Sequence, residues 1–247
     1  MIEARGLGVR YPTGRLALDG ASLAVGPGEL LVVLGHNGSG KSTLLRCIAG
    51  MLRPSAGQVE VAGREISRLA GRGLAEARLA LGMIFQHAHL VRRRSVLANV
   101  LCGTLGRHRT LSTALGRLPR QEVPLALACL DEVGLAPLAG QRAGTLSGGQ
   151  AQRVAVARAL AQRPRALLAD EPVASLDPEA AEEIMRLLRR LASDEGLAVV
   201  CVLHQPDLAR RYADRILGLR HGRTLFQESA RAVSPEDVAA LYEAVAA

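Results

Sequence analysis

The order of apolar and polar positions predicts strands first and helices between them. Ile2 to Val9 and Leu16 to Val25 read as short strands, and a wholly apolar run, Leu30 to Leu34, ends abruptly at Gly35. A helix is expected from Ser42 to Ala49, then strands at Gln58 to Ala62 and Leu81 to Phe85. From about His87 the period changes. Apolar residues recur at helical spacing in Val96 to Leu105 and Glu122 to Val133, around a polar stretch from Arg107 to Arg120. With a helix expected from Gly148 to Gln162, this part reads as a helical insert over about 87–160 of a single domain spanning 1–247. Beyond it lie a strand, Ala166 to Asp170, and a helix opened by Asp177 as N-cap with Pro178 at its first position. Leu197 to Leu203 has the unbroken apolar character of a strand covered on both faces. A hairpin is expected at Ile216 to Leu219 and Thr224 to Phe226, turning at His221-Gly222, and Ser234-Pro235-Glu236-Asp237 opens a last helix. Strands alternating with helices predict an α/β fold with a mostly parallel sheet.

Composition sharpens this picture at one residue. The chain of 247 residues has 31 Lys and Arg residues, and its only lysine is Lys41. That lysine stands in Gly35-His36-Asn37-Gly38-Ser39-Gly40-Lys41-Ser42-Thr43, a glycine-rich loop between an apolar strand and a helix. Backbone N–H groups of such a loop cradle phosphates while the ammonium reaches the terminal ones. A compact point charge on a flexible stem fits that loop where a wider, planar guanidinium does not. The net charge of +8 raises the question of nucleic acid, but five aromatics and scattered arginines give no stacking platform and no basic stripe, so no nucleic acid partner is expected. No apolar run approaches the length of a membrane-spanning helix, and Met1-Ile2-Glu3-Ala4-Arg5 is not a signal peptide, so a cytoplasmic location is expected. Cys47, Cys102, Cys129 and Cys201 have no metal-binding spacing and read as small apolar residues.

Two further segments carry chemistry. Ala166 to Asp170 delivers Asp170 and Glu171 at a strand end; beside a phosphate loop the first would hold Mg²⁺ with the Ser42 hydroxyl, and the second would polarise a water for in-line attack. Leu146-Ser147-Gly148-Gly149-Gln150 opens a helix, and a helix N-terminus favours an anion. One nucleotide needs only one phosphate cradle. A second one suggests that the terminal phosphate is shared between two chains.

With these motifs the chain resembles the ATP-binding subunits of ABC transporters over nearly its whole length, Leu-Ser-Gly-Gly-Gln being the most specific element. The resemblance implies a phosphate-loop NTPase core with a mostly parallel sheet, an antiparallel β subdomain and an inserted α-helical subdomain. It implies ATP and Mg²⁺ as ligands, Tyr11 stacking on adenine, Gln86 touching the metal or the attacking water, and His204 contacting the γ-phosphate. Ser175-Leu176-Asp177 matches the loop that crosses a dimer interface. Implied partners are a second copy of the chain, transmembrane permease subunits and, indirectly, a substrate-binding protein, with the chain peripheral on the cytoplasmic face of the membrane. Stretches such as Met83-Ile84-Phe85-Gln86, Ser95 to Leu101, Glu171 to Pro178 and Asp207 to Arg215 are similar to the phosphonate importer branch. His36, His87, His89 and Arg94 depart from that pattern, and an importer of phosphate or phosphite would look much the same. Arg92-Arg93-Arg94 lies where the family meets its membrane partner, and equally reads as a solvated positive face. An ATPase acting on ribosomes or DNA is the rival, yet there is no second ATP-binding domain and no sustained heptad pattern between Lys41 and Asp170. A non-catalytic subunit would require a degraded site, and none of the expected residues is missing.

Overall fold

Five apolar residues in a row, Leu30–Leu34 (β3), suit a strand covered on both faces, and the computed structural model, which describes residues 1–108, 113 and 117–242, places it so. Leu30, Val32 and Leu34 enter one hydrophobic core and Leu31 and Val33 another, the period-two division of a pleated strand. Ala166–Asp170 (β7) and Ala198–Val202 (β8) divide the same way, Leu167 and Val199 on the first face, Leu168 and Val200 on the second.

These strands lie in a six-stranded sheet ordered β10-β9-β3-β8-β7-β6. Leu81–Ile84 (β6) forms one edge and Arg215–Arg220 (β9) flanks β3. All neighbours pair in parallel except Arg223–Ser229 (β10), which returns antiparallel to β9 after the turn at His221-Gly222. A second, four-stranded antiparallel sheet orders Leu16–Val25 (β2), Ile2–Arg10 (β1), Ala56–Val61 (β4) and Arg64–Glu65 (β5). Between the two sheets runs the helix Lys41–Ile48 (α1), whose Leu44, Leu45 and Ile48 join the second core.

The first core is closed by helices: Val96–Leu101 (α3) and Val123–Glu132 (α4) of the helical subdomain, Gly148–Leu160 (α5), and Pro178–Ser193 (α6). The expected helix Val96 to Leu105 ends at Leu101 and tightens into 3₁₀ turns over Cys102–Arg107. There Gly103 passes so close to α5 that a Cβ on it would lie 2.0 Å from the Arg158 carbonyl oxygen. Of the polar stretch Arg107 to Arg120, residues 109–112 and 114–116 lie outside the described residues. Three short elements were not expected from the pattern: β5, Gly71–Ala77 (α2) and Pro206–Tyr212 (α7). The last helix, Pro235–Tyr242 (α8), opens at Ser234, whose hydroxyl accepts from the Asp237 N–H while the Asp237 carboxylate accepts from the Ser234 N–H.

The four cysteines are free thiols, Cys47, Cys129 and Cys201 buried. Burial pushes the Cys47 and Cys129 thiols up to about 11, so they pack as apolar groups. Among the described residues, no helix is long and apolar enough to cross a membrane.

Candidate functional site: one cleft and one remote helix end

Because β3, β8 and β7 are parallel neighbours, their carboxyl ends open on one edge of the sheet, the usual crevice of such folds. β3 leads into the loop 35–40, β8 into Leu203-His204, and β7 ends at Asp170 with Glu171 next. A phosphate loop, a histidine and two carboxylates that are far apart in sequence thereby become neighbours.

The loop is built around Lys41. Its side chain is only 5% exposed, and Nζ donates to the carbonyls of Gly35 at 2.8 Å and His36 at 3.0 Å. An ammonium carries three protons, so one remains for a ligand. Burial lowers the Lys41 pKa, and the nearby charges of Glu171 and Asp170 oppose that shift. Gly40 precedes the helix at φ 109°, where a Cβ would lie 2.5 Å from the Ala17 carbonyl oxygen; at Gly35, φ 154°, it would lie 2.2 Å from that of Leu219. These clashes explain why glycine occupies both positions. The Ser39 hydroxyl is fully buried with no hydrogen-bond partner among the described residues. The N-terminus of α1 has no side-chain cap, which leaves its N–H groups for a ligand.

A cleft of about 400 Å³ opens over this loop, lined by Tyr11, Arg15, Asn37, Lys41, Thr43 and Glu171 among others. The Tyr11 hydroxyl lies 3.2 Å from Oγ1 of Thr43. Oγ of Ser42 donates to Oδ1 of Asp170 at 3.2 Å. Burial raises the Asp170 pKa, and the bond from Ser42 works against it. Glu171 occupies the left-handed region at φ 51°, a costly conformation for a side chain with a Cβ, and its Oε1 meets Nε2 of His204 at 2.5 Å. Two oxygen donors, Ser42 and Asp170, suit a hard cation such as Mg²⁺. Among the described residues no group of three or more His, Cys, Asp or Glu side chains could hold a metal, so a cation here would depend on a ligand's own oxygens.

The other expected residues lie elsewhere. Gln86 is exposed just past β6 and does not line the cleft. Leu146 to Gln150 opens α5, where Oγ of Ser147 accepts from the Gln150 N–H at 3.3 Å and Oε1 of Gln150 accepts from the Ser147 N–H at 3.0 Å. Asp177 caps α6, accepting from the Ala180 N–H at 2.9 Å, and Leu176 approaches Gly148. Leu176 therefore lies beside the α5 N-terminus. Arg92, Arg93 and Arg94 are exposed, and the Arg94 and Arg92 carbonyls accept from the Ala143 and Gly144 N–H groups. Sequence reasoning missed Arg15 as a lining residue; an arginine in a turn gives no signal until the turn is folded over the loop.

The α5 helix also grips the chain around Gln86. Gln152 donates to the Phe85 carbonyl at 2.8 Å, Arg158 to those of Ala88 at 2.7 Å and His89 at 3.0 Å, and Gln162, just past the helix, to that of Leu81 at 2.5 Å.

A family model described as ABC transporter matches residues 18–174. A phosphonates import ATP-binding protein of a Nostoc species is 46% identical over 98% of this chain and 92% of its own length. A protein of the same description from Frankia casuarinae is 51% identical over 93% of this chain and 91% of its own. A phosphate-import ATP-binding protein of Mycolicibacterium smegmatis is also 51% identical, over 93% of this chain and 88% of its own. Among solved structures, a dimeric ATP-binding cassette in a post-hydrolysis state with ADP and phosphate superimposes with a TM-score of 0.81 at 33% identity, covering 94% of this chain and all of that one.

Proposed function

The chain belongs to the ATP-binding subunits of ABC transporters, ATPases coupled to transport, and we propose that it energises import of phosphonates from the cytoplasmic face of the membrane. The observation that carries the catalytic reading is the convergence of Lys41, Ser42, Asp170, Glu171 and His204 at one sheet edge. The cargo reading is supported by relatives named for phosphonate import at 46% and 51% identity.

In this reading Lys41 and the uncapped N–H groups of α1 bind the phosphate chain of ATP, and Tyr11 stacks on the adenine. Ser42 and Asp170 are the protein's oxygen ligands to Mg²⁺, which when bound neutralises the charge of the phosphates. Asp170 has to be ionised for this, against the cost of its burial. Glu171 takes the proton of the attacking water on its carboxylate, and His204 holds that carboxylate through the Oε1 contact while reaching the γ-phosphate. The segment Leu146 to Gln150 lies outside the cleft, so it completes the site from a second copy: two protomers pair head to tail, each loop Gly35 to Thr43 facing its partner's signature segment. Ser175 to Asp177 belong to that interface. Gln86 joins the site when the helical subdomain turns inward, because α5 holds the backbone on either side of it. The same motion is transmitted through Gln86 to Val100 to transmembrane permease subunits, an ATP-driven two-state switch.

The test is Glu171→Gln. Steady-state hydrolysis should fall by about 10²–10⁴-fold while an ATP-bound dimer accumulates in size-exclusion chromatography; normal turnover would refute the assignment. Phosphate is the second reading, favoured by the Mycolicibacterium relative. In a transporter reconstituted with its binding protein, methylphosphonate should stimulate ATP hydrolysis. Stimulation by phosphate alone would decide for the second reading.

A further inference from the structure

We infer that Arg15 is a nucleotide-binding residue, whose guanidinium leaves the Gly38 carbonyl to engage the phosphate chain of ATP. The inference rests on the nucleotide reading of the cleft and adds to it a residue that the motifs do not name. Arg15 follows Tyr11 by four positions in the turn between β1 and β2, which the Tyr11 N–H closes by donating to the Arg15 carbonyl at 2.9 Å. The turn carries the arginine over the phosphate loop, where its Nη2 donates to the Gly38 carbonyl at 3.2 Å and its side chain lines the cleft with Lys41 and Thr43. Gly38 leaves the space this needs, since a Cβ there would lie 3.1 Å from the same nitrogen.

Three properties suit the role. The side chain is exposed, so moving it requires no unpacking. Among the described residues no carboxylate forms an ion pair with it, so its charge is uncommitted. Among the described residues its hydrogen bond in the cleft goes to a neutral carbonyl, a weaker acceptor than a phosphate oxygen, and a planar fork suits phosphate recognition. Lys41, by contrast, is buried and already held by two carbonyls. Arg15 would therefore close on the nucleotide from the solvent side while Lys41 holds it from below.

The experiment compares wild type, Arg15→Ala and Arg15→Lys by calorimetric titration with ATP and ADP at two salt concentrations, by ATPase kinetics and by thermal melting. Arg15→Ala should weaken ATP and ADP binding about tenfold, as loss of a charge-assisted contact does, and should flatten the salt dependence of binding. The Michaelis constant for ATP should rise about tenfold in step with the lost affinity, and Arg15→Lys should recover part of that affinity. Unchanged ATP affinity in Arg15→Ala would overturn the inference. So would a loss of affinity matched by a lower melting temperature and an unaltered salt dependence, which would make Arg15 a support of the loop. Failure of the wild type itself to bind ATP would bring down the nucleotide reading as well.

Discussion

Two helix N-termini in this molecule face opposite requirements. α1 is preceded by Gly40 with no side-chain cap, and among the described residues its loop leaves the Ser39 hydroxyl without a partner. α5 begins at Ser147 in a closed capping box, with Ser147 and Gln150 satisfying each other's backbone N–H groups. Both are glycine-bearing helix starts in a sequence string, and both would be drawn as anion sites on that ground alone. The first leaves backbone N–H groups that a bound anion would satisfy. The second is closed by its own side chains, which is what the proposed presentation of this segment to a second copy requires.

Breaking the first end should cost most. Gly40→Ala places a Cβ 2.5 Å from a backbone carbonyl at a φ that side chains rarely adopt. A loss of about 3 kcal/mol or more of stability is expected in urea melts, with loss of ATP binding. Lys41→Arg keeps the charge, but a site 5% exposed with two carbonyls on Nζ has no place for a planar fork. ATP affinity should fall by about tenfold or more in a titration, with the fold intact. At the second end, Ser147→Ala removes the cap and should cost about 1 kcal/mol in the same melts. Gly148→Ala is the mildest for the fold, because the new Cβ meets only the Leu176 side chain at 3.4 Å. Its stability should stay within about 0.5 kcal/mol of wild type, yet ATPase activity should fall if that glycine receives the partner's nucleotide. Unaltered activity in Gly148→Ala would count against the shared site.

The buried strands β3 and β8 were legible because a short unbroken apolar run next to turn residues suits a strand covered on both faces, and β7 was legible as a strand. The caps at Asp177 and Ser234 were legible because capping is local chemistry. α2 was not: it carries Gly71 and Gly73, starts at Ala70 without a cap and buries only Ala77, so neither propensity nor period announces it. β5 has two residues, too few for any period. Within the site, Lys41, Asp170 and Glu171 could be named from strings, but the contact of Glu171 with His204 joins residues 33 positions apart. It follows from β8 lying beside β7, which is a fact of topology. The position of Arg15 over the loop has the same origin.

The fastening of α5 and Gln162 to β6 and the segment after it has an asymmetry with an evolutionary consequence. Every donor named there is a side chain of Gln152, Arg158 or Gln162, and every acceptor is a main-chain carbonyl, of Phe85, Ala88, His89 or Leu81. Carbonyls are the same whatever residue bears them, so the loop from Phe85 to His89 can change its exposed side chains without disturbing the seam. The seam is therefore encoded on one side, in the donor side chains Gln152, Arg158 and Gln162.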